Sequence, residues 1–100
     1  MSKLPIPISF DWDKGNIDKN WEKHVVTNKE TEEVFFNKPL KVFPDLKHSE
    51  REERFIALGV SNKRQDLAIV FTIRNNGSER IRVISARKQN KKERKTYEKK

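Results

Sequence analysis

The sequence predicts a single α+β domain in which helices cover a small antiparallel sheet. Two observations carry this prediction: helical spacing and caps in the first half of the chain, and alternating hydrophobic runs separated by turn signals in the second half. A third is the length of 100 residues, which suits one hydrophobic core. The predicted order of elements is β-α-α-β-β-β-β-α.

The chain begins with a predicted edge strand followed by a helix. Residues 6–12 alternate in hydrophobicity, and two prolines at the start of this run are typical of an edge. Residues 13–24 predict a helix whose N-cap is an Asp, and Ile17, Trp21 and His24 lie along one side of it.

A second helix is predicted from residue 27 onward. Residues 27–30, Thr-Asn-Lys-Glu, form a capping box, in which the Thr and Glu side chains satisfy each other's free backbone donors. We expect this helix to carry Thr31, Val34 and Phe35 inward and to end before Pro39.

Four strands and a final helix are predicted for the rest of the chain. Residues 40–43 form a short strand, 53–61 and 66–74 a hairpin, and the turn at 75–78, which contains Asn-Gly, leads into a strand at 79–86. The tail from Lys88 predicts a helix with Glu93 and Tyr97 on one face.

The positive charge of the chain is concentrated in its last quarter. Residues 74–100 contain eleven Lys and Arg against three Glu, which accounts for the whole net charge of +8. A one-sided basic surface favours a polyanionic partner, namely nucleic acid, a membrane surface or an acidic protein. The last ten residues contain one sizeable apolar side chain, Tyr97, which argues against membrane binding.

The basic strand at 79–86 is a candidate phosphate site. Period-two alternation places Arg80 and Arg82 on one face and Ile81, Val83 and Ser85 on the other. Two guanidiniums about 7 Å apart along a strand would suit a phosphate. The alternative is that both arginines belong to the solvated face of an amphipathic strand.

Several classes of site are not indicated. The chain has no Cys and two His, which argues against disulfides, a thiol nucleophile and a zinc site. It shows no glycine-rich phosphate loop, no signal peptide and no apolar run long enough to span a membrane. We therefore expect a cytoplasmic protein without a metal ion or cofactor.

The remaining functional groups suit metal-free RNA cleavage, because RNA supplies its own nucleophile, the 2′-hydroxyl. Arg82 and Arg87 could hold the phosphate; the alternative is that they are a surface strand charge and a solvated Arg beside a helix. Glu53 and Arg54 could supply a base and a second clamp, but adjacent strand residues point to opposite faces, so we expect one of the two to reach a shared site. Further contacts to RNA are expected from four basic residues: Arg80, Lys88, Lys91 and Arg94.

Two further candidates also have structural interpretations, and for Tyr97 the structural one is favoured. His24 is either a proton donor or a hydrogen-bonded core histidine. Tyr97 is either a catalytic phenol or the anchor that docks the last helix.

These residues, in this order, resemble the BrnT family of bacterial type II toxins. The resemblance covers residues 8–100, which we assign to one domain, with residues 1–7 as an N-terminal extension. It is carried by Phe10-Asp11-Trp12-Asp13, Asn20, Lys23-His24, Thr27, Glu33-Val34-Phe35-Phe36, His48-Ser49, Glu53-Arg54-Phe55, Gly59, the run from Arg80 to Lys88, Glu93-Arg94 and Tyr97.

The resemblance implies a fold like that of the RelE and ParE toxins and a ribonuclease activity that inhibits translation. It also implies neutralisation by a BrnA antitoxin, through which alone operator DNA is bound. For RNA contact or catalysis it favours Arg82, Arg87, Glu53 and Arg54. One departure is Val25, which stands where the family usually has Gly at a helix end.

Two functional hypotheses follow. The first is a metal-independent endoribonuclease toxin, which the basic strand and the resemblance favour. The second is a basic subunit that binds nucleic acid without catalysis, which the lack of an unmistakable acid–base pair favours. RNA cleavage that depends on Arg82 would discriminate between them.

Overall fold

The chain forms a small α+β structure built on a four-stranded antiparallel sheet, in the order β1-β2-β3-β4. The computed structural model describes residues 4–18, 24–48, 52–75 and 77–98. The elements in these ranges are helix α1 (Asn28–Val34), strand β1 (Lys41–Pro44), a 3-10 turn (Leu46–His48), strands β2 (Arg54–Val60), β3 (Asp66–Asn75) and β4 (Glu79–Lys88), and helix α2 (Lys91–Glu98). None of these helices is long and apolar enough to cross a membrane.

One face of the sheet carries the main hydrophobic core, against which α1 packs. The predicted capping box is confirmed: the Glu30 N–H donates to Thr27 Oγ1 at 3.0 Å, and the Thr27 N–H donates to Glu30 Oε1 at 3.0 Å. Thr31 and Val34 are fully buried, as predicted. A Cβ at Gly59 would come within 2.6 Å of Val34 Cγ1, so this close approach of α1 to β2 requires glycine. The core also contains Phe35, Phe55, Leu67, Ile69, Phe71, Ile81, Val83 and Ala86.

The opposite face of the sheet is partly covered by α2. The ring of Tyr97 packs on Leu58 and Ala68, and its hydroxyl donates to the Pro39 carbonyl at 2.6 Å. The predicted face of the last helix is therefore confirmed for Tyr97. The helix starts at Lys91 rather than Lys88, because β4 continues through Lys88.

The predicted N-terminal strand is reduced to a single parallel bridge between Phe10 and Ile81. Two hydrogen bonds support it, from the Asp11 N–H to the Ile81 carbonyl and from the Ile81 N–H to the Ser9 carbonyl, both 2.8 Å long. Ile6, the first apolar residue of the predicted alternation, is 92% exposed. The two prolines have no N–H to donate, which prevents a longer ladder at this edge.

The helix predicted over residues 13–24 is wrong for residues 13–18, whereas His24, its predicted last residue, is helical. Residues 13–18 form turns, and Asp18 adopts a φ of +64°, which ends the turn. Ile17 is 44% exposed and His24 is exposed, so neither belongs to a buried stripe. Trp21 lies outside the described residues. The polar groups of the turn bond one another locally, which competes with a helix.

The alternation predicted for β4 fails after Val83. Phe71 pairs with Val83 but Val70 pairs with Ser85, so Ile84 is an extra residue in β4, a β-bulge. Every residue after the bulge therefore changes face. Ser85 leaves the core face on which it was predicted, and Ala86 enters the core.

Candidate functional site

The sheet face partly covered by α2 carries a cluster of basic side chains. Residues paired directly across antiparallel strands point to the same face, and the pairs Arg54–Thr72, Thr72–Arg82 and Arg74–Arg80 lie at one end of this face. The bulge adds Arg87, which pairs with Ala68. We call these residues the arginine face: Arg54, Thr72, Arg74, Arg80, Arg82 and Arg87.

Arg82 lies at the centre of the arginine face and is held by two carboxylates. Its Nη1 and Nη2 donate to Asp13 Oδ2 and Oδ1 at 2.9 and 3.0 Å, and Nη1 lies 3.5 Å from Asp11 Oδ2. The side chain of Arg82 is 16% exposed, whereas that of Asp13 is 56% exposed. The guanidinium holds the pKa of Asp13 below its ordinary value, and the hydrogen bond from the Gly15 N–H contributes to this.

The turn at residues 13–17 keeps this ion pair in place. Asn16 is buried, and its Nδ2 donates to the carbonyls of Asp11 and Val83, which ties the turn to β4. A Cβ at Gly15 would lie 3.0 Å from Arg82 Nη2. A side chain at position 15 would therefore crowd the guanidinium.

Arg87 is engaged by a carboxylate of α2. Its Nη1 and Nη2 donate to Glu93 Oε1 and Oε2 at 2.7 and 2.9 Å. Glu93 also belongs to a capping box with Asn90, since each side chain accepts a hydrogen bond from the other residue's N–H. Arg87 lowers the pKa of Glu93, against the opposing effect of burial. The pair thus joins the end of β4 to the start of α2.

Arg54 and Arg82 lie in one row across the sheet, with Thr72 between them. Two strand spacings separate their Cα atoms, or about 10 Å. The Thr72 side chain is buried, and its hydroxyl donates to the Glu53 carbonyl at 2.6 Å, which fixes the start of β2 beside this row. Glu53 itself is exposed.

Arg74 and Arg80 face each other at the far end of the β3–β4 hairpin. They line a small pocket of about 120 Å³ together with Asp11 and Ser78. Sequence reasoning assigned Arg80 to RNA contact but did not assign Arg74. Its position opposite Arg80 across the predicted turn was a signal that could have identified it.

The remaining predicted site residues lie in other parts of the fold. Lys88 and Arg94 line one open groove of about 400 Å³, and Lys91 is exposed at the start of α2. Tyr97 is buried, its hydroxyl is bonded to a carbonyl, and burial raises its pKa. His24 is exposed, which excludes the core interpretation, and within the described ranges no hydrogen bond or ion pair joins it to the arginine face.

The model of one protein family matches residues 12–93, and its description is the ribonuclease toxin BrnT of type II toxin–antitoxin systems. The chain belongs to the BrnT family. No curated protein matches the chain significantly.

BrnT membership identifies the chain as a ribonuclease toxin of a type II toxin–antitoxin system, with RNA as its target and an antitoxin as its partner. The resemblance noted in the sequence is thereby confirmed. The matched region contains all six residues of the arginine face, including the row formed by Arg54, Thr72 and Arg82.

Proposed function

We propose that this BrnT toxin is a metal-independent endoribonuclease that binds the scissile phosphate on the arginine face. The observation that carries the proposal is the row in which Arg54 and Arg82 flank Thr72 on one sheet face. Guanidinium forks match phosphate oxygens and stay charged at any relevant pH. Within the described ranges, no three His, Asp or Glu side chains lie close enough to hold a metal ion.

The proposed reaction uses the 2′-hydroxyl of the RNA as the nucleophile. A base removes its proton, the 2′-oxygen bonds to the adjacent phosphorus, and the bond to the 5′-oxygen breaks as that oxygen takes up a proton. The products are a 2′,3′-cyclic phosphate and a 5′-hydroxyl. Arg82 and Arg54 stabilise the negative charge that develops on the phosphate oxygens, and Glu53, beside Arg54, is the proposed base.

Binding of RNA at Arg82 requires exchange of a carboxylate for a phosphate. More than half of the Asp13 side chain is exposed, so a phosphate can replace it without opening the core. The exchange preserves two parallel N–H···O hydrogen bonds. Arg87 contacts RNA in the same way once it leaves Glu93, while Arg80, Lys88, Lys91 and Arg94 bind flanking phosphates. This reaction scheme assigns no catalytic step to His24 or Tyr97.

We also propose that cleavage inhibits translation and that the fold is of the RelE and ParE type, as the family resemblance implies. The partner is then a BrnA-like antitoxin, through which operator DNA is bound. An acidic surface on the antitoxin would suit the arginine face, because opposite charge speeds encounter and covers the site.

The experiment is induced expression of wild type and Arg82→Ala, with and without the antitoxin, followed by growth and RNA integrity. Arg64→Ala is the matched control, because Arg64 is exposed in the β2–β3 turn at the opposite end of β3. We expect wild type and the control to arrest growth and cleave RNA, Arg82→Ala to do neither, and the antitoxin to restore growth.

The chemistry is tested with the purified proteins. Wild type should cleave RNA in EDTA, leave cyclic-phosphate ends and spare a DNA strand of the same sequence, which lacks the 2′-hydroxyl. Cleavage that requires a divalent metal ion, or that continues undiminished in folded Arg82→Ala, contradicts the proposal.

A further inference from the structure

We propose that Arg74 and Arg80 together form a second phosphate subsite, which holds one backbone phosphate next to the one at Arg82. The inference deepens the proposed function and rests on the placement of RNA at Arg82. It assigns a binding role to Arg74. The phosphate is bound by Arg74 and Arg80 together rather than by either residue alone.

The first argument is the direct opposition of two like charges. Arg74 and Arg80 are cross-strand partners, and like charges at such positions destabilise a hairpin. Among the described residues, Arg74 has one loose ion pair, 3.4 Å to Glu52, between side chains that are 45% and 34% exposed. Arg80 forms no ion pair with any residue in the described ranges. An anion between the two guanidiniums relieves this repulsion.

The second argument is the presence of a preformed recess. Arg74 and Arg80 form two of its walls, Ser78 offers a hydroxyl, and its volume is about 120 Å³. Gly77, with a φ of +89°, lets the chain turn tightly beside it. The fourth wall is Asp11, whose carboxylate lies 3.5 Å from Arg82 Nη1 and is therefore partly neutralised.

The third argument is continuity with the proposed cleavage site. Arg80 and Arg82 are two residues apart on the same face of β4, so their side chains start about 7 Å apart. That separation is comparable to the distance between successive phosphates of an extended nucleic acid strand. Asp11 lines the recess and also lies 3.5 Å from Arg82 Nη1, so the two places are adjacent. The ligand class is therefore a single-stranded phosphodiester backbone, bound without base contacts.

The test measures binding of a single-stranded DNA oligonucleotide by fluorescence anisotropy over a range of salt concentrations. DNA lacks the 2′-hydroxyl, so binding is measured without cleavage, and failure of the proposed chemistry would not affect this result. The variants are Arg74→Ala, Arg80→Ala and the double variant. The control is Lys63→Ala with Arg64→Ala, which removes two charges from the exposed β2–β3 turn.

A shared phosphate predicts a particular pattern. For single strands, the slope of log K against log salt changes by about 0.7 for each phosphate neutralised. In the double variant, the magnitude of this slope should fall by about 0.7. Each single variant should weaken binding at low salt about tenfold. The effects of the two single variants should not add, because either change disrupts the same subsite.

Three results would overturn the proposal. A slope unchanged in the double variant, or an equal change in the control, shows that the pair binds no particular phosphate. A fall of about 1.4 in the magnitude of the slope shows two separate phosphates rather than a shared one.

With cleavable RNA, the double variant should raise KM by a larger factor than it lowers kcat, since it removes binding rather than chemistry.

Discussion

Replacing Glu93 by Gln separates the structural and RNA-binding roles of Arg87. Gln retains the capping box at this position but removes the charge that pairs with Arg87. The pair is bidentate and partly buried, with side-chain exposures of 33% and 17%, which places it near the top of the range measured for exposed pairs, about 1 kcal/mol. We expect Glu93→Gln to lower the free energy of unfolding by about this amount, measured by urea denaturation.

The same pair predicts a pH dependence. Arg87 lowers the pKa of Glu93 from its ordinary value of 4.5 in the folded state. A carboxyl whose folded pKa is depressed contributes stability above its unfolded pKa and loses it as pH falls through the folded pKa. The difference in stability between wild type and Glu93→Gln should therefore be full at pH 7 and decline below about pH 4.5.

Glu93→Gln should have the opposite effect on nucleic-acid binding, which it should strengthen. If Arg87 contacts RNA, releasing it from Glu93 raises affinity for a DNA oligonucleotide by up to about fivefold, whereas Arg87→Ala lowers it. Glu98→Gln is the matched control, because Glu98 is exposed in the same helix and loses the same charge. Equal gains in the two Gln variants would refute the reasoning, since overall charge would then explain both.

Two predictions concern the stability of the fold. Val25 has a φ of +55° and is 65% exposed. Val25→Gly should therefore raise the free energy of unfolding by about 1 kcal/mol, whereas Val25→Ala, which keeps a Cβ, should not. Equal denaturation midpoints for the two variants would argue against backbone strain at this position. Tyr97→Phe loses the hydrogen bond to the Pro39 carbonyl and should lower the free energy of unfolding by about 1 kcal/mol. If this variant instead lost RNA cleavage at unchanged stability, the phenol would have a catalytic role.

Much of the architecture was predictable because it depends on local signals. The capping box at Thr27, the hairpin of β2 and β3 and the inward position of Val34 follow from spacing and turn chemistry alone. The helix predicted to start at Asp13 failed over residues 13–18 for a reason that is partly not local. The buried side chain of Asn16 bonds two backbone carbonyls, one of them in β4, and no periodicity in the sequence records that contact.

The candidate site was predicted in part. The charge asymmetry pointed to Arg80, Arg82 and Arg87, while Arg54 was a candidate from its place on the predicted hairpin and was favoured by the resemblance. Strict alternation, however, would have placed Arg82 and Arg87 on opposite faces of β4. The bulge at Ile84 brings them to one face, and the sequence carries no sign of it.

The sequence by itself determined the α+β class, the family and the concentration of positive charge near β4, because composition, period and motifs are properties of neighbouring residues. Only the tertiary structure decided which charges meet. Cross-strand register set Arg74 against Arg80, and a turn far away in the chain brought Asp13 to Arg82. Such contacts depend on how strands pair over long sequence separations, and a single bulge reverses the face of every residue that follows it.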